Sequence, residues 1–397
     1  LPARMGGRHN SGNANGWRAD REGAQAGQEA QDLLAAPQNR QDRRVKPLTA
    51  GRTVSLADLV AGVSIAGLLL PQAVAYSSIA GLPPQTGVIA LLAGLLVYGV
   101  LGGSRFAIVS ATSSSAVVLL AATSAVAPGD PALRWALGIG MVLLTGVFFV
   151  IAGLARLGGI VNLIAKPVLR GFTVGLSLTI VLQQLPKVLA VQPAHSDFFR
   201  FAWELGAGWR HWNLAGAAMA LAALALLQGL ARWRAVPAAL LVIAAGIGLD
   251  IGGWCHALGI AAVGPITLNF SHPGLPQLAL ADWLRMGELA FAMTFVLYAE
   301  SYGSIRSFAL LHGDRMQANR DLLALGAANI ASVLFQGMPV GAGYSGTAAN
   351  EAAGAQSRAA GLAAGAVVLA AVLTLLPWIA HTPEPMLAAI VIHPLVR

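Results

Sequence analysis

Charge is scarce in this chain. Asp, Glu, Lys and Arg make up 11% of its 397 residues, against 56% hydrophobic residues. A soluble domain carries roughly a quarter charged residues, so a water-soluble globular protein is excluded. Cysteine is nearly absent too. The lone Cys255 cannot form an intrachain disulfide, which excludes a cysteine framework and leaves packing as its role. No Walker sequence, nucleophile elbow or Gly-rich dinucleotide fingerprint is present. His256, His272, His312 and His381 lack metal-ligand spacing, so neither a metal site nor an enzyme is expected. A formal charge of +8 does not point to nucleic acid, because half of it lies in residues 1–52 and the rest in short loops.

Long uncharged runs are what the chain has instead. Between Asp58 and Arg105 lie 46 residues without a charged side chain, room for two spans of about 20 apolar residues. Further uncharged stretches run over Phe106–Gly129, Trp135–Ala155 and Ala359–Ala380, each long enough to cross. Residues 1–50, rich in Gly, Asn, Gln and Arg and without apolar period, are expected to be a disordered cytoplasmic tail. No apolar core precedes Asp58, so a cleaved secretory signal is not expected.

Basic residues orient the spans. The tail, Arg105, Arg156, Lys166, Arg170, Arg232, Arg234, Arg306, Arg315, Arg320 and Arg358 fall on one side, read as cytoplasmic; residues 235–284, without Lys or Arg, form an outer connection. Arg134, Lys187, Arg200 and Arg210 fall on the wrong side of this scheme. The count is about seven spans before residue 255 and four or five after 284. The expected domains are a first transmembrane repeat over 51–255 and an incomplete second over 282–397. An all-α polytopic membrane protein of a bacterial inner membrane follows.

Two runs of small residues interrupt the apolar pattern, SATSSSAVVLL at 110–120 and GAGYSGTAANEAAGA at 341–355. Gly and Ser are poor helix formers, and Ser or Thr favours the N-cap. Each run therefore reads as unwound chain feeding a helix start, near Thr112 in one and near Tyr344 or Ser345 in the other. Unwound backbone in hydrocarbon must be buried in protein or line a wet cavity. Asp58 to Thr112 spans 54 residues and Glu288 to Ser345 spans 57, which suggests two related halves. An odd number of spans in the first would insert them oppositely, as an inverted repeat. Two helix N-termini would then face one another, each with about half a positive charge and free N–H donors: an anion site without a basic side chain. The rival reading of either run is close helix packing.

Glu300 lies within a span, and an intramembrane carboxylate is costly enough to mark function by default. It would carry a proton with the substrate, or ligate Na+ with Ser304 beside it; the alternative is a hydrogen bond to a neighbouring helix end. Gln72 and Tyr76 sit one turn apart after Pro71, placed to bond a substrate or else merely beside a kink.

With these residues in view, the segments LADLVAGVSIAGLLLPQAVAYSSIAGLPPQTGVIALLAGLLVYGVLGGSR, KPVLRGFTVGLSLTIVLQQLPKVL and NRDLLALGAANIASVLFQGMPVGAGYSGTAANEAAGAQSRAAGLAA resemble the sulfate permease family, also called SulP or solute carrier family 26. The resemblance covers about residues 47–392. It implies seven plus seven inverted spans in a core and a gate domain, half-helices in the third and tenth spans, homodimers and an elevator-like movement. Thr112, Ser113, Tyr344, Ser345, Gly346 and Thr347 match the half-helix starts, Gln72 and Tyr76 first-span positions that line the site, and Glu300 an eighth-span acidic position. Many members carry a basic residue where Gly346 stands, so a divalent anion here depends on dipoles and a bound cation. The last two spans and the cytoplasmic STAS domain are not in the chain. The function implied is secondary transport of small inorganic anions, sulfate first, bicarbonate or a dicarboxylate next. Alternatives are a nucleobase carrier of the same architecture and a non-transporting membrane scaffold.

Overall fold

A computed structural model describes residues 55–127, 129–159, 166–191, 198–230, 238–264 and 278–393. The tail expected over 1–50 lies outside the described residues, as do His272, Arg232 and Arg234. Helix α1 (Leu56–Ile79) opens on a capping box in which the Ser55 hydroxyl accepts from the Asp58 amide at 3.1 Å. Its apolar run ends at Gly81, whose φ of +68° favours glycine. Helix α2 (Pro84–Leu101) starts on proline, whose missing N–H costs nothing there. Three-residue strand β1 (Val109–Ala111) then leads into α3 (Ser113–Val126) and α4 (Pro131–Leu154).

Helices α5 (Lys166–Leu189), α6 (Phe198–Ala207), α7 (Leu214–Leu230), α8 (Ala238–Ile251) and the single turn α9 (Trp254–Ala257) follow. The 33-residue α10 (Leu280–His312) ends at Gly313 with φ +68°, a left-handed stop. Then come α11 (Ala318–Leu334), strand β2 (Val340–Ala342), α12 (Tyr344–Ala352), α13 (Ala359–Ile379) and α14 (Glu384–Ile392).

The order helix, helix, strand, short helix, long helix thus occurs twice, over 56–154 and 280–379. In both, the helix begins two residues after the strand ends. Strands β1 and β2 pair antiparallel with Ser110 opposite Gly341, so the two short helices leave the ladder in opposite directions. Both runs are broken, as the cap residues require.

By length and composition, α1, α2 and α4 are long and apolar enough to cross a membrane. Among the described residues, seven helices of at least 14 residues precede Cys255, and α10 to α14 follow residue 279. The uncharged stretch Phe106–Gly129 holds the break expected near Thr112: residues 109–111 are extended and Ser113–Val126 are helical.

Two bundles result. Helices α1–α4 pack with α10–α13, and α5, α7 and α8 pack with α14. The first encloses the main apolar core, from Ile65 and Leu91 to Met293 and Leu325. The ladder sits inside it because Gly94 lets α2 approach: a Cβ there would lie 2.3 Å from the Val109 carbonyl oxygen.

Candidate functional site

Each half-helix start is built by local hydrogen bonding. Thr112 caps α3, its hydroxyl accepting from the Ser115 amide at 3.1 Å while the Ser115 hydroxyl accepts from the Thr112 amide at 3.1 Å. Gly343 caps α12 without a side chain. Its carbonyl instead accepts from the Thr347 hydroxyl at 2.8 Å.

Side chains from elsewhere hold the unwound strands. Asn329 of α11 brackets Val340, accepting from its amide at 3.0 Å and donating to its carbonyl at 2.9 Å. The Ser301 hydroxyl of α10 accepts from the Ala342 amide at 2.8 Å. Each half-helix also steadies the other half's strand entry. The Ser115 hydroxyl donates to Pro339 O at 3.2 Å, and Asn350 Nδ2 donates to Phe106 O at 2.9 Å. Buried polar backbone is thereby satisfied far from water.

The two N-caps meet. A Cβ on Gly343 would lie 3.4 Å from Thr112 Cγ2 and 3.8 Å from Glu300 Oε1. Glu300 Oε2 accepts from the Thr112 hydroxyl at 3.2 Å and, closely, from the Ser114 hydroxyl. The carboxylate thus lies between two helix N-termini, each equivalent to roughly half a positive charge.

Helix α1 forms the facing wall. Leu69 stands 3.4 Å from where a Gly346 Cβ would be, and Tyr76, two turns further along the same face, is buried. Gln72, between them on the same face, is 2% exposed and its Nε2 has no protein partner. Ser113, Ser345 and Glu300 keep partly open surface, whereas Thr112, Ser114, Gly346 and Thr347 are buried. Ser304 is buried one turn beyond Glu300 and donates weakly to Gly343 O at 3.5 Å.

Of the residues singled out from sequence, Gln72, Tyr76, Thr112, Ser113, Glu300, Ser304, Ser345, Gly346 and Thr347 therefore surround one locus. Tyr344 stands apart. It is 57% exposed, and its ring leans on Phe308, two turns past Glu300, at 5.4 Å between centroids. Sequence reasoning missed Ser114, Ser301, Asn329 and Gly343. A serine run at a helix start does not say which hydroxyl faces Glu300, and Ser301 and Asn329 act on strands too short to show a period.

The chain matches the sulfate permease family over residues 56–397. It is 31% identical over 341 residues to the "Probable sulfate transporter MT1781" of Mycobacterium tuberculosis, covering 86% of this chain and 61% of that protein. With human solute carrier family 26 member 6 it shares 28% over 363 residues, covering 85% and 47%. The chain thus spans about half to three fifths of these relatives' lengths. The transmembrane domain of a cyanobacterium bicarbonate transporter, BicA, superposes with TM-score 0.78 at 22% identity, covering 86% of this chain and 87% of that one. The overall structure of SLC26A9 gives 0.79 at 20%, covering 99% and 65%. These neighbours share the core-and-gate architecture. With two broken segments meeting at an intramembrane carboxylate and this match over most of its length, the chain belongs to the sulfate permease family.

Proposed function

We propose that this protein is a secondary active transporter of small inorganic anions, sulfate first and bicarbonate or a small dicarboxylate next, coupled to protons or a cation through Glu300. The observation that carries the reading is the meeting of the Thr112 and Gly343 caps with Glu300 between them. Helix N-termini present N–H donors and positive potential without a charged side chain, which suits an anion that must leave again. The unpartnered Gln72 Nε2 is a buried donor that a bound oxyanion would satisfy. Relatives named for sulfate and bicarbonate transport support the substrate class.

The Glu300 carboxylate takes hydroxyl donors that an anion would use. Two negative groups between the same dipoles repel. Anion entry therefore favours proton uptake by Glu300 or recruitment of a cation beside it, with Ser304 adding an oxygen. That is a physical basis for symport. Gly346 leaves the site without a fixed positive charge, which makes such a companion more important for a divalent anion.

The proposed setting is a bacterial inner membrane with the N-terminus in the cytoplasm, because Arg105, Arg156, Arg315, Arg320 and Arg358 share one membrane face. Homodimeric assembly, implied by the family, is checked by cross-linking in vesicles. The function is tested by uptake of labelled sulfate into proteoliposomes under an imposed pH gradient, with uracil and bicarbonate as competitors. Gradient-driven sulfate uptake insensitive to uracil is expected. Inhibition by uracil alone would favour a nucleobase carrier, and no uptake of any of these solutes would favour the scaffold.

A further inference from the structure

We infer that residues 198–213, which join α5 to α7, form an aromatic foot that docks on the headgroup–acyl boundary of the bilayer and fixes the depth of the second bundle. Helix α6 is ten residues long with Arg200 and Glu204 in it, too short and too polar to cross. It connects the end of one membrane helix to the start of the next on the same membrane face. Such a helix lies along the boundary.

Its outward surface is aromatic. Phe199 and Trp203, one turn apart, are 83% and 77% exposed, and Trp209 is 61% exposed. Leu214, at the start of α7, continues this surface at 72% exposure. Rows of large aromatics are costly in water, but amphipathic rings are enriched at headgroup level. Arg210 lies with its guanidinium 5.5 Å from the Trp209 ring centroid, so its apolar stem can cover the membrane while its charge reaches lipid phosphates. Arg200 and Arg210 are two of the basic residues that contradict the orientation rule. At an interface the Arg210 charge meets phosphate.

The inward side is locked to the protein. Leu205 is buried, and its carbonyl accepts from Trp212 Nε1 at 3.1 Å. Asn213 joins three elements. Its amide donates to Leu189 O at the end of α5 at 2.9 Å, and its Oδ1 accepts from the Ala215 and Gly216 amides of α7 at 3.0 and 3.1 Å. Its Nδ2 donates to Leu258 O and Gly259 O, at 2.8 and 3.0 Å, just past α9. Gly216 closes the joint, since a Cβ there would lie 2.4 Å from Val188 O. The foot cannot swing alone, so its depth in the lipid is the bundle's depth.

The inference does not depend on what is transported. Its test uses the full chain in phosphatidylcholine–phosphatidylglycerol vesicles, with a nitroxide attached in turn at F199C, W203C and A352C. The native Cys255 is fully buried, and all three label sites are exposed. Labels at 199 and 203 should be reached by dissolved oxygen and shielded from a water-soluble nickel chelate, with the reverse at 352. Nickel access at 199 and 203 equal to that at 352 would overturn the docking. Shielding of both sites from oxygen as well as nickel would also overturn it, in favour of a protein contact such as a second copy.

Discussion

Thr112 and Gly343, 231 residues apart in sequence, are the N-caps of the two half-helices and lie so close that a Cβ added to Gly343 would reach van der Waals contact with Thr112 Cγ2, at 3.4 Å. The contact fixes how closely two positive helix ends can approach. It also leaves no room for bulk at position 343. Gly343→Ala should transport near the native rate after a shift of a few tenths of an ångström. Gly343→Val should lose about tenfold or more in uptake, roughly 1.4 kcal/mol, with membrane expression unchanged. Equal uptake by the two variants, measured in proteoliposomes, would show that the spacing of the caps is unimportant.

Glu300 is the titratable group at this contact, and glutamine keeps its shape while removing the proton site. Glu300→Gln should abolish the pH dependence of uptake while leaving anion binding in place. Rates across pH 5 to 8 and tracer binding at one pH measure the two separately. An unchanged pH profile would remove Glu300 from coupling.

Ser345 is half-buried on the first turn of α12, between Tyr344 and the buried Gly346. A bulky residue there, such as Ser345→Leu, should block uptake with folding intact. Normal uptake by that variant would move the anion path elsewhere.

Asp58 predicts a stability effect rather than a kinetic one. It is buried and accepts from the Gln356 and Ser357 amides at 2.8 and 2.9 Å, the Ser357 hydroxyl at 2.8 Å and the Ser55 hydroxyl at 2.9 Å. This joins the start of α1 to the turn before α13. Asp58→Ala strands several buried donors at about 1–3 kcal/mol each. Thermal unfolding in detergent should shift down by several degrees, whereas Asp58→Asn, which keeps an acceptor, should lose less.

Cys255 lies on α9, outside the spans. Burial, and secondarily the Asp250 carboxylate beside it, push its thiol up from the usual value. The thiolate is the reactive form, so maleimide labelling at neutral pH should be far slower than for free cysteine. It should accelerate on denaturation. Rapid labelling of the folded protein would contradict this burial.

Legibility from sequence followed the range of the interaction. Capping is local, so Thr112 and the Tyr344 start could be read from neighbouring residues. Glu300 stood out because a carboxylate among apolar residues is costly wherever it ends up. Its partners could not be read, since Ser114 is 186 residues away and nothing in a serine run marks the one that turns toward it. The pairing of β1 with β2 could not be read either, since it joins residues more than 200 positions apart.

Composition and the two runs of small residues by themselves determined that this is a membrane protein and that two of its segments break, because desolvation cost and helix propensity act residue by residue. Only the tertiary structure decided that the two breaks meet, that Glu300 fills the space between them, and that Tyr344 leans away on Phe308. Those outcomes rest on contacts between distant segments, fixed by packing geometry that no local pattern encodes.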